Sequence, residues 1–383
     1  MKFRSGRTLG LVGWLLAACS FSGGVTPSPA VSPTAPAVAT PPAGQTQTSH
    51  PSRVPEPTPT RSASDEFLKR PSPDTIRVMT YNINWDSIFP EDDPQNHELR
   101  EFSRQGAFGR VLRAVRPDIL CLQEINYLRG AADLGEFLSA EMEAADERWS
   151  VVNVRDTVIA SRFELIEEGY ELVTGSVLPD LDQAAGLVDL PDAEYGPTDL
   201  YLICAHFKAG GTLADILLRG RQADAIAAHV GDFTTPGGEL DLIPETPFLI
   251  VGDFNVYDTD PALHLRTLLR GDIYNEDQFG EDVEPDWDGT SLSDALPTHN
   301  GLGGANYTWR NDSLPFSEGE LDRVLYSDSV LVMERGFVLN TLLLADEVLA
   351  AHDLRLNDVL LDASTGYFDH LPVVVDFALA SPP

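Results

Sequence analysis

The segment at 247–255, PFLIVGDFN, constrains this chain more than any other stretch. Its apolar run Phe248-Leu249-Ile250-Val251 reads as a strand buried on both faces. Gly252 interrupts the run, and Asp253 and Asn255 follow two positions apart. Residues two apart on an extended chain point to the same side. One strand end therefore delivers a carboxylate and a carboxamide to one point. Strand ends and the loops after them are where α/β proteins carry their chemistry.

The construction recurs along the chain. Residues 75–84 (TIRVMTYNIN) alternate apolar and polar and end in asparagines, and 118–124 (DILCLQE) is an apolar strand ending Gln-Glu. Residues 200–208 (LYLICAHFK) form a strand finishing on His206, and 321–326 (LDRVLY) begins beside Asp322. Residues 149–154, 157–160 and 331–339 read as further strands, and 366–377 presents Asp369-His370 before a last one at 373–377. Apolar residues at helical spacing predict helices over 97–115, 134–143 and 213–231, with a short one in 261–271. The stretch 166–198 reads as irregular and acidic. Cys121 and Cys204 lie inside apolar strands, where cysteine serves more often as a small core residue than in a disulfide.

The N-terminus has a different character. A basic start (Lys2, Arg4, Arg7) precedes an apolar run too short to anchor in a bilayer, ending Leu-Ala-Ala-Cys19. This is the layout of a cleaved export signal. The last four residues also resemble a bacterial lipobox, which implies acylation of Cys19 and a stable membrane attachment through the N-terminal lipid anchor. An ordinary secretory signal is the other reading. Residues 20–73, rich in Pro, Ser, Thr and Ala, lack the apolar content to offset ordering entropy and read as a disordered tether. The catalytic domain is then expected over 74–380. The formal charge of −34, from 26 basic and 60 acidic residues, neither supports a basic nucleic-acid binder nor excludes a metal-assisted one. Only three of the basic residues are lysines, Lys2, Lys69 and Lys208.

Singly, the polar strand ends have ordinary explanations: Asn82 as a turn residue, His206 as a satisfied histidine, Asp322 as one surface acid among many. Together they are TYNIN (80–84), LCLQE (120–124), AHFK (205–208), GDFN (252–255), LDRVLYS (321–327) and FDHLP (368–372). In order and spacing this set resembles the endonuclease/exonuclease/phosphatase superfamily, the DNase-I-like metal-dependent phosphoesterases, over residues 75–378. The resemblance implies an α/β fold, a four-layer sandwich of two packed mixed β-sheets flanked by helices, with the site at one edge. It implies Glu124 as principal metal ligand with Asn82 and Asp369 nearby, and Asp253 with Asn255 orienting and activating water. It further implies His370 held by Asp322 at the phosphate and His206 as a second acid for the leaving group. SRF (161–163) and YTW (307–309) resemble less telling motifs of the family and read as mainly structural.

Breaking a phosphate ester requires charge neutralisation, an in-line water and help for the leaving oxygen. Mg2+ suits the first role, with Mn2+ or Ca2+ as alternatives. Lys208, if the strand continues, points the same way as His206 and toward a phosphate; a plain surface lysine is the other reading. Arg221, with Arg219 and Gln222, lies on the following helix, facing either the site or solvent. Asn84 stands where some family members carry an acid, which leaves a second metal site open. The implied substrate is a phosphate ester: an extracytoplasmic nuclease reading comes first, with a lipid or sugar phosphate esterase second. A surface-attached binding module without activity is the rival from outside enzymology.

Overall fold

The structure is a computed structural model that describes residues 61–84, 88, 104–125, 131–142, 148–166, 183–240, 242–256, 261–311, 318–359 and 369–380. All of them belong to one compact unit, Pro57–Pro383. The leader 1–19 with its Cys19 and the first part of the tether lie outside the described residues.

In chain order the elements are β1 (Ile76–Asn82), α1 (Gln105–Val115), β2 (Ile119–Gln123), α2 (Ala131–Glu141), β3 (Ser150–Val154), β4 (Thr157–Ser161), β5 (Glu164–Ile166), β6 (Gln183–Asp189), α3 (Asp192–Tyr195) and β7 (Leu200–His206). Then come α4 (Leu213–Thr234), β8 (Phe248–Asp253), α5 (Pro261–Arg270), α6 (Glu276–Phe279), β9 (Ser293–Asp294), β10 (Thr298–His299), β11 (Asp322–Tyr326), β12 (Leu331–Val338), α7 (Asp346–Ala351) and β13 (Val373–Leu379). The strands form a seven-stranded sheet, β10-β12-β13-β1-β2-β4-β3, and a six-stranded sheet, β5-β6-β7-β8-β11-β9. Both are mixed: β1 runs parallel to β2 and antiparallel to β13, and β7 runs parallel to β8, which is antiparallel to β11.

Period-two alternation explains the layering. On β7, Leu200, Leu202 and Cys204 belong to the core between the sheets, whereas Tyr201, Ile203 and Ala205 belong to a second core. On β8, Leu249 and Val251 face the first core, Phe248 and Ile250 the second. The second core is closed by Ala223, Ile226, Val230 and Phe233, which form the buried face of α4. That helix opens with a capping box in which Thr212 and Asp215 exchange side-chain and backbone hydrogen bonds, worth about 1 kcal/mol at such a terminus. On the other side α1 buries Phe108, Val111, Leu112 and Val115 at helical spacing. It stops at Arg116, whose left-handed backbone (φ 52°) returns its N–H to the Leu112 carbonyl before Pro117. The result is two mixed sheets packed face to face with helices outside, the DNase-I-like sandwich.

Three expectations are corrected. Cys121 on β2 and Cys204 on β7 form a disulfide, with Cα atoms 5.4 Å apart, rather than standing as separate core residues. Both point into the space between the sheets, so the bond ties one sheet to the other. Periodicity gives each cysteine's face but not which positions oppose each other across the sandwich. Second, the folded domain begins earlier than residue 74. Phe67 and Leu68 are buried, Phe67 lies edge-on to Phe337 on β12, and Ser62 bridges to Leu344. Two apolar residues next to a polar, proline-rich stretch gave no periodic signal. Third, the stretch read as irregular contains β6, whose residues from Gln183 to Val188 are buried, and the short α3. Small residues (QAAGLVD) carry little strand propensity of their own and are held by pairing with β7. Residues 97–103, the start of the expected first helix, lie outside the described residues.

Candidate active site

The inward-facing rows of the strands turn polar at one end of the sandwich. Thr80 pairs in register with Cys121, and Asn82 with Gln123. Cys204 pairs with Val251, and His206 with Asp253. Val251 pairs with Val324, and Asp253 with Asp322. Each row therefore begins with an apolar or small residue in the core and finishes, two positions on, with a residue of the site. Because β11 runs antiparallel to β8, its first residue reaches the same edge as the last residues of β7 and β8. His370 arrives on the segment leading into β13.

Asp253, 1% exposed, is the hub. Its Oδ2 accepts from Asn82 Nδ2 (3.1 Å) and Asn255 Nδ2 (3.0 Å), and its Oδ1 from the Asn255 backbone N–H (2.9 Å). His370 Nε2 lies 3.6 Å and His206 Nε2 3.9 Å from the same Oδ2. Asn82 Nδ2 also donates to Glu124 Oε1 (3.0 Å), which lies 3.9 Å from His206 Nε2. His370 Nδ1 pairs with Asp322 Oδ2 at 2.7 Å, and backbone N–H groups of Leu321 and Asp322 donate to Thr308 Oγ1. Asp369 accepts from Trp309 Nε1 (2.8 Å) and Asn84 Nδ2 (2.6 Å).

The backbone is shaped to deliver these groups. Gly252 has φ 141°, and a Cβ there would sit 2.0 Å from the Ala205 carbonyl oxygen, so no other residue fits between β7 and β8. Glu124 (φ 60°) and Asn255 (φ 49°) both hold left-handed conformations. For Glu124 that costs about 1–2 kcal/mol, retained where the chain must turn the carboxylate into the site.

Burial by itself would lower the pKa of His206. The hydrogen bond to Asp156 and the charges of Asp253, Asp156 and Glu124 outweigh it and raise it to about 9. For His370, burial likewise pulls down, and the charges of Asp322, Asp253 and Asp369 with the Asp322 hydrogen bond push it up to about 10. Burial raises the Asp322 carboxyl, against which the His370 charge and hydrogen bond act. Both rings are imidazolium at neutral pH in this constellation.

The structure thus brings Asn82, Glu124, His206, Asp253, Asn255, Asp322, Asp369 and His370 together. Lys208 lines the adjoining cavity of about 390 Å3 with Glu124, Asp156, His206, Leu218 and Gln222. Arg221 is not brought in: it lies on the exposed face of α4, while its neighbours Arg219 and Gln222 turn inward. Asp156 is a member the sequence did not disclose. It sits in the tight β3–β4 turn, where an acid reads as a turn former. Yet its Oδ2 lies 2.9 Å from His206 Nδ1 and its carbonyl accepts from the Ile125 N–H next to Glu124. Thr308 and Trp309, read as structural, orient Asp322 and Asp369. Arg162 of the other minor motif ion-pairs with Asp118 at the N-terminal end of β2, the end away from the site. A larger cavity of about 870 Å3, between the end of α4 and residues 282–291, holds no histidine and none of the strand-end residues.

A divalent cation fits this donor set. Asp253, Asp322 and His370 offer ligand atoms within 4.8 Å of one another, and Glu124 adds a partly exposed carboxylate facing the cavity. Asp253, Asp322 and Asp369 are partnered by amides, a hydroxyl-capped loop, imidazoles and an indole, and by no guanidinium among the described residues. Oxygen ligands with an excess of negative charge suit a hard cation. The tight cluster and the expected set of Glu124, Asn82 and Asp369 share no residue; they are joined by the hydrogen bond from Asn82 to Asp253. Of the two, Glu124 is the better first ligand, because its carboxylate opens on the cavity whereas Asp322 is committed to His370.

The model of the endonuclease/exonuclease/phosphatase family matches residues 79–342. The chain belongs to that family. Its chemistry is accordingly the hydrolysis of phosphoric esters. No curated protein is similar enough in sequence to match. Similar solved structures include the human Nocturnin catalytic domain with bound sulfate anion (16% identity, 80% of this chain and 95% of that one, TM-score 0.46). Another is the Bacteroides thetaiotaomicron mannosyl-6-phosphatase (17% identity, 79% and 99%, TM-score 0.47). A third is D. rerio TDP2 complexed with single strand DNA product (13% identity, 79% and 99%, TM-score 0.44).

Proposed function

We propose that this chain is an extracytoplasmic, Mg2+-dependent phosphodiesterase in which water attacks phosphorus in line with the leaving oxygen. The observation that carries the reading is the convergence on Asp253 of two amides and two imidazolium rings, each from a different strand end. Glu124, with Asn82 and Asp369, would hold the ion. When bound, Mg2+ neutralises charge on the phosphoryl oxygens. Asp253, its carboxylate fixed by Asn82 and Asn255, accepts the proton of the attacking water. His370, kept cationic by Asp322, stabilises the charge that develops on the non-bridging oxygens. His206, kept cationic beside Asp156, donates its Nε2 proton to the departing oxygen.

For the substrate, the motifs alone put a nuclease first, and the charge of the molecule favours the alternative, a lipid or sugar phosphate. A polyanion needs a cationic track, whereas this chain carries a charge of −34 and lines its site cavity with one lysine, Lys208, and one histidine, His206, against the acids Glu124 and Asp156. That cavity, about 390 Å3, has the size for one headgroup or sugar. The disulfide, stable in oxidising compartments, and the leader ending in Cys19 support export and a lipid tether. Purified protein assayed on DNA, RNA, a choline phosphodiester lipid and a sugar phosphate, with Mg2+ and with chelator, tests the proposal. Turnover that survives chelation, or none on any ester, refutes it.

A further inference from the structure

We propose that Arg219 and Gln222 are positioning residues that aim Lys208 at the phosphate group of the substrate, an inference that rests on the phosphodiesterase reading above. Both lie on the inward stripe of α4, in line with Ala223, Ile226 and Val230, where apolar side chains belong. A guanidinium 1% exposed and a carboxamide 2% exposed are costly unless their hydrogen bonds are met. Several of these bonds are made with the backbone just beyond β7. Gln222 Nε2 donates to the His206 carbonyl (3.3 Å), and Gln222 Oε1 accepts from the Lys208 N–H (2.9 Å). Arg219 Nη1 donates to the carbonyls of Lys208 (2.8 Å) and Gly210 (2.6 Å). Between these, the Phe207 N–H donates to the Asp253 carbonyl (2.8 Å) and the Phe207 carbonyl accepts from Asn255 Nδ2 (3.0 Å).

A loop leaving a strand ordinarily satisfies its peptide groups with water and moves accordingly. Here the His206 carbonyl, the N–H and carbonyl of both Phe207 and Lys208, and the Gly210 carbonyl are tied either to α4 or to the strand end that carries Asp253. The side chain that leaves this fixed backbone toward the cavity is Lys208, which forms no salt bridge among the described residues. Lysine is a flexible cation whose binding suffers from rotamer entropy; fixing its Cα limits that loss. The latch is not needed to dock α4, since Ala223, Ile226, Val230 and Phe233 already pack it on the six-stranded sheet. It reaches only the carbonyl of His206, whose ring is held by Asp156 and whose backbone pairs with Asp253 across β7–β8. Its selective effect is on residues 207–210.

The test is a double-variant cycle on bis(4-nitrophenyl) phosphate with Mg2+, using the chain from Ser20 onward, which retains the whole compact unit. Lys208→Met is expected to raise KM about tenfold, the scale of a lost charge-assisted hydrogen bond. Gln222→Met is expected to raise KM by a similar factor while kcat falls less than about threefold. The double variant should be no worse than either single one, because both act through the same ammonium. Arg219→Lys, which keeps a donor for one carbonyl, should fall between native and Gln222→Met. Hydrogen exchange should show Gln222→Met losing protection at Lys208 while amides from Ile226 to Val230 keep theirs. Effects that multiply to about a hundredfold in the double variant, an unchanged KM in Gln222→Met, or protection lost equally along α4 would each overturn the proposal. A native protein inactive on every phosphate ester would instead remove the phosphodiesterase reading, and the aim assigned to Lys208 with it.

Discussion

Asp156→Asn removes one charge from the site and leaves the shape of the β3–β4 turn intact. Asp156 and His206 are each about 15% exposed, and their 2.9 Å contact is a hydrogen bond between charged partners while the ring is protonated. Such a bond is worth about 1.5–3 kcal/mol, which at 1.36 kcal/mol per unit moves the His206 pKa down by about one to two units from about 9. A histidine whose folded pKa exceeds its unfolded 6.5 binds its proton more tightly when folded. Its contribution to stability is complete below pH 6.5 and is lost as pH rises through about 9. The Asn variant should therefore be destabilised by about 1.5–3 kcal/mol at pH 6, and by less than about 1 kcal/mol at pH 10, where the ring is neutral in both proteins. Urea unfolding of chelator-treated protein at pH 6, 8 and 10 measures the difference, and NMR titration of the His206 ring gives the shift directly. A penalty independent of pH, or one that grows toward pH 10, would show that Asp156 acts through the turn and not through the imidazolium.

Glu124→Ala should weaken Mg2+ binding at least about tenfold by isothermal titration calorimetry and raise the Mg2+ concentration needed for turnover; unchanged affinity would remove Glu124 as a ligand. His370→Ala should lower kcat by about 10^2–10^4-fold with the far-UV circular dichroism spectrum retained. The buried Asp322 then loses the cationic partner that opposes the effect of burial, so its carboxyl rises further above its ordinary pKa. Gly252→Ala should lower stability by more than about 3 kcal/mol, or prevent folding. The added Cβ meets the Ala205 carbonyl oxygen at 2.0 Å on a backbone with positive φ, and a variant melting at the native temperature would contradict that strand approach.

Much of this architecture is legible from period-two patterning. The run Phe248–Val251 shows a strand buried on both sides, and Asp253 continues the parity of Leu249 and Val251, so its direction into the sandwich follows from counting by two. The same count carries His206 from Leu202 and Cys204, and Asn82 from Val78 and Thr80. Pairings across space are not legible in this way. Cys121 and Cys204 are 83 positions apart, and their bond depends on how one sheet lies over the other. Asp156 escaped because a turn acid has an ordinary local explanation, and only the arrival of β7 beside that turn puts His206 within 2.9 Å. Arg221 looked as well placed as Arg219 and Gln222; a helix turns about 100° per residue, which puts Arg221 about 200° round from Arg219 and off the stripe that carries Arg219, Gln222, Ile226 and Val230. The buried strand end of the 166–198 stretch was missed because its residues are small and are held by pairing rather than by their own preference.

The two edges of the sandwich treat buried acids differently, and the contrast separates stability from function. At the edge away from the site, Asp118 is held by Arg70 and Arg162, and Asp376 takes two hydrogen bonds from Arg77 at 2.6 and 2.8 Å. Those acids have permanent cationic partners with fixed geometry, and nothing further is required of them. At the site edge Asp253, Asp322 and Asp369 have amides, imidazoles and an indole instead. Imidazolium can give up its proton, which a guanidinium cannot do in a protein. An acid-rich cluster whose cations are removable is therefore incomplete by design of its residues: the charge it lacks at high pH, or once a proton has gone to a leaving group, must come from outside. A divalent ion beside the same carboxylates would add positive charge there, and that would lower the proton affinity of the His206 and His370 rings. Histidines facing Asp253 can carry a proton to or from reacting oxygens, a role that an arginine at the same place could not fill.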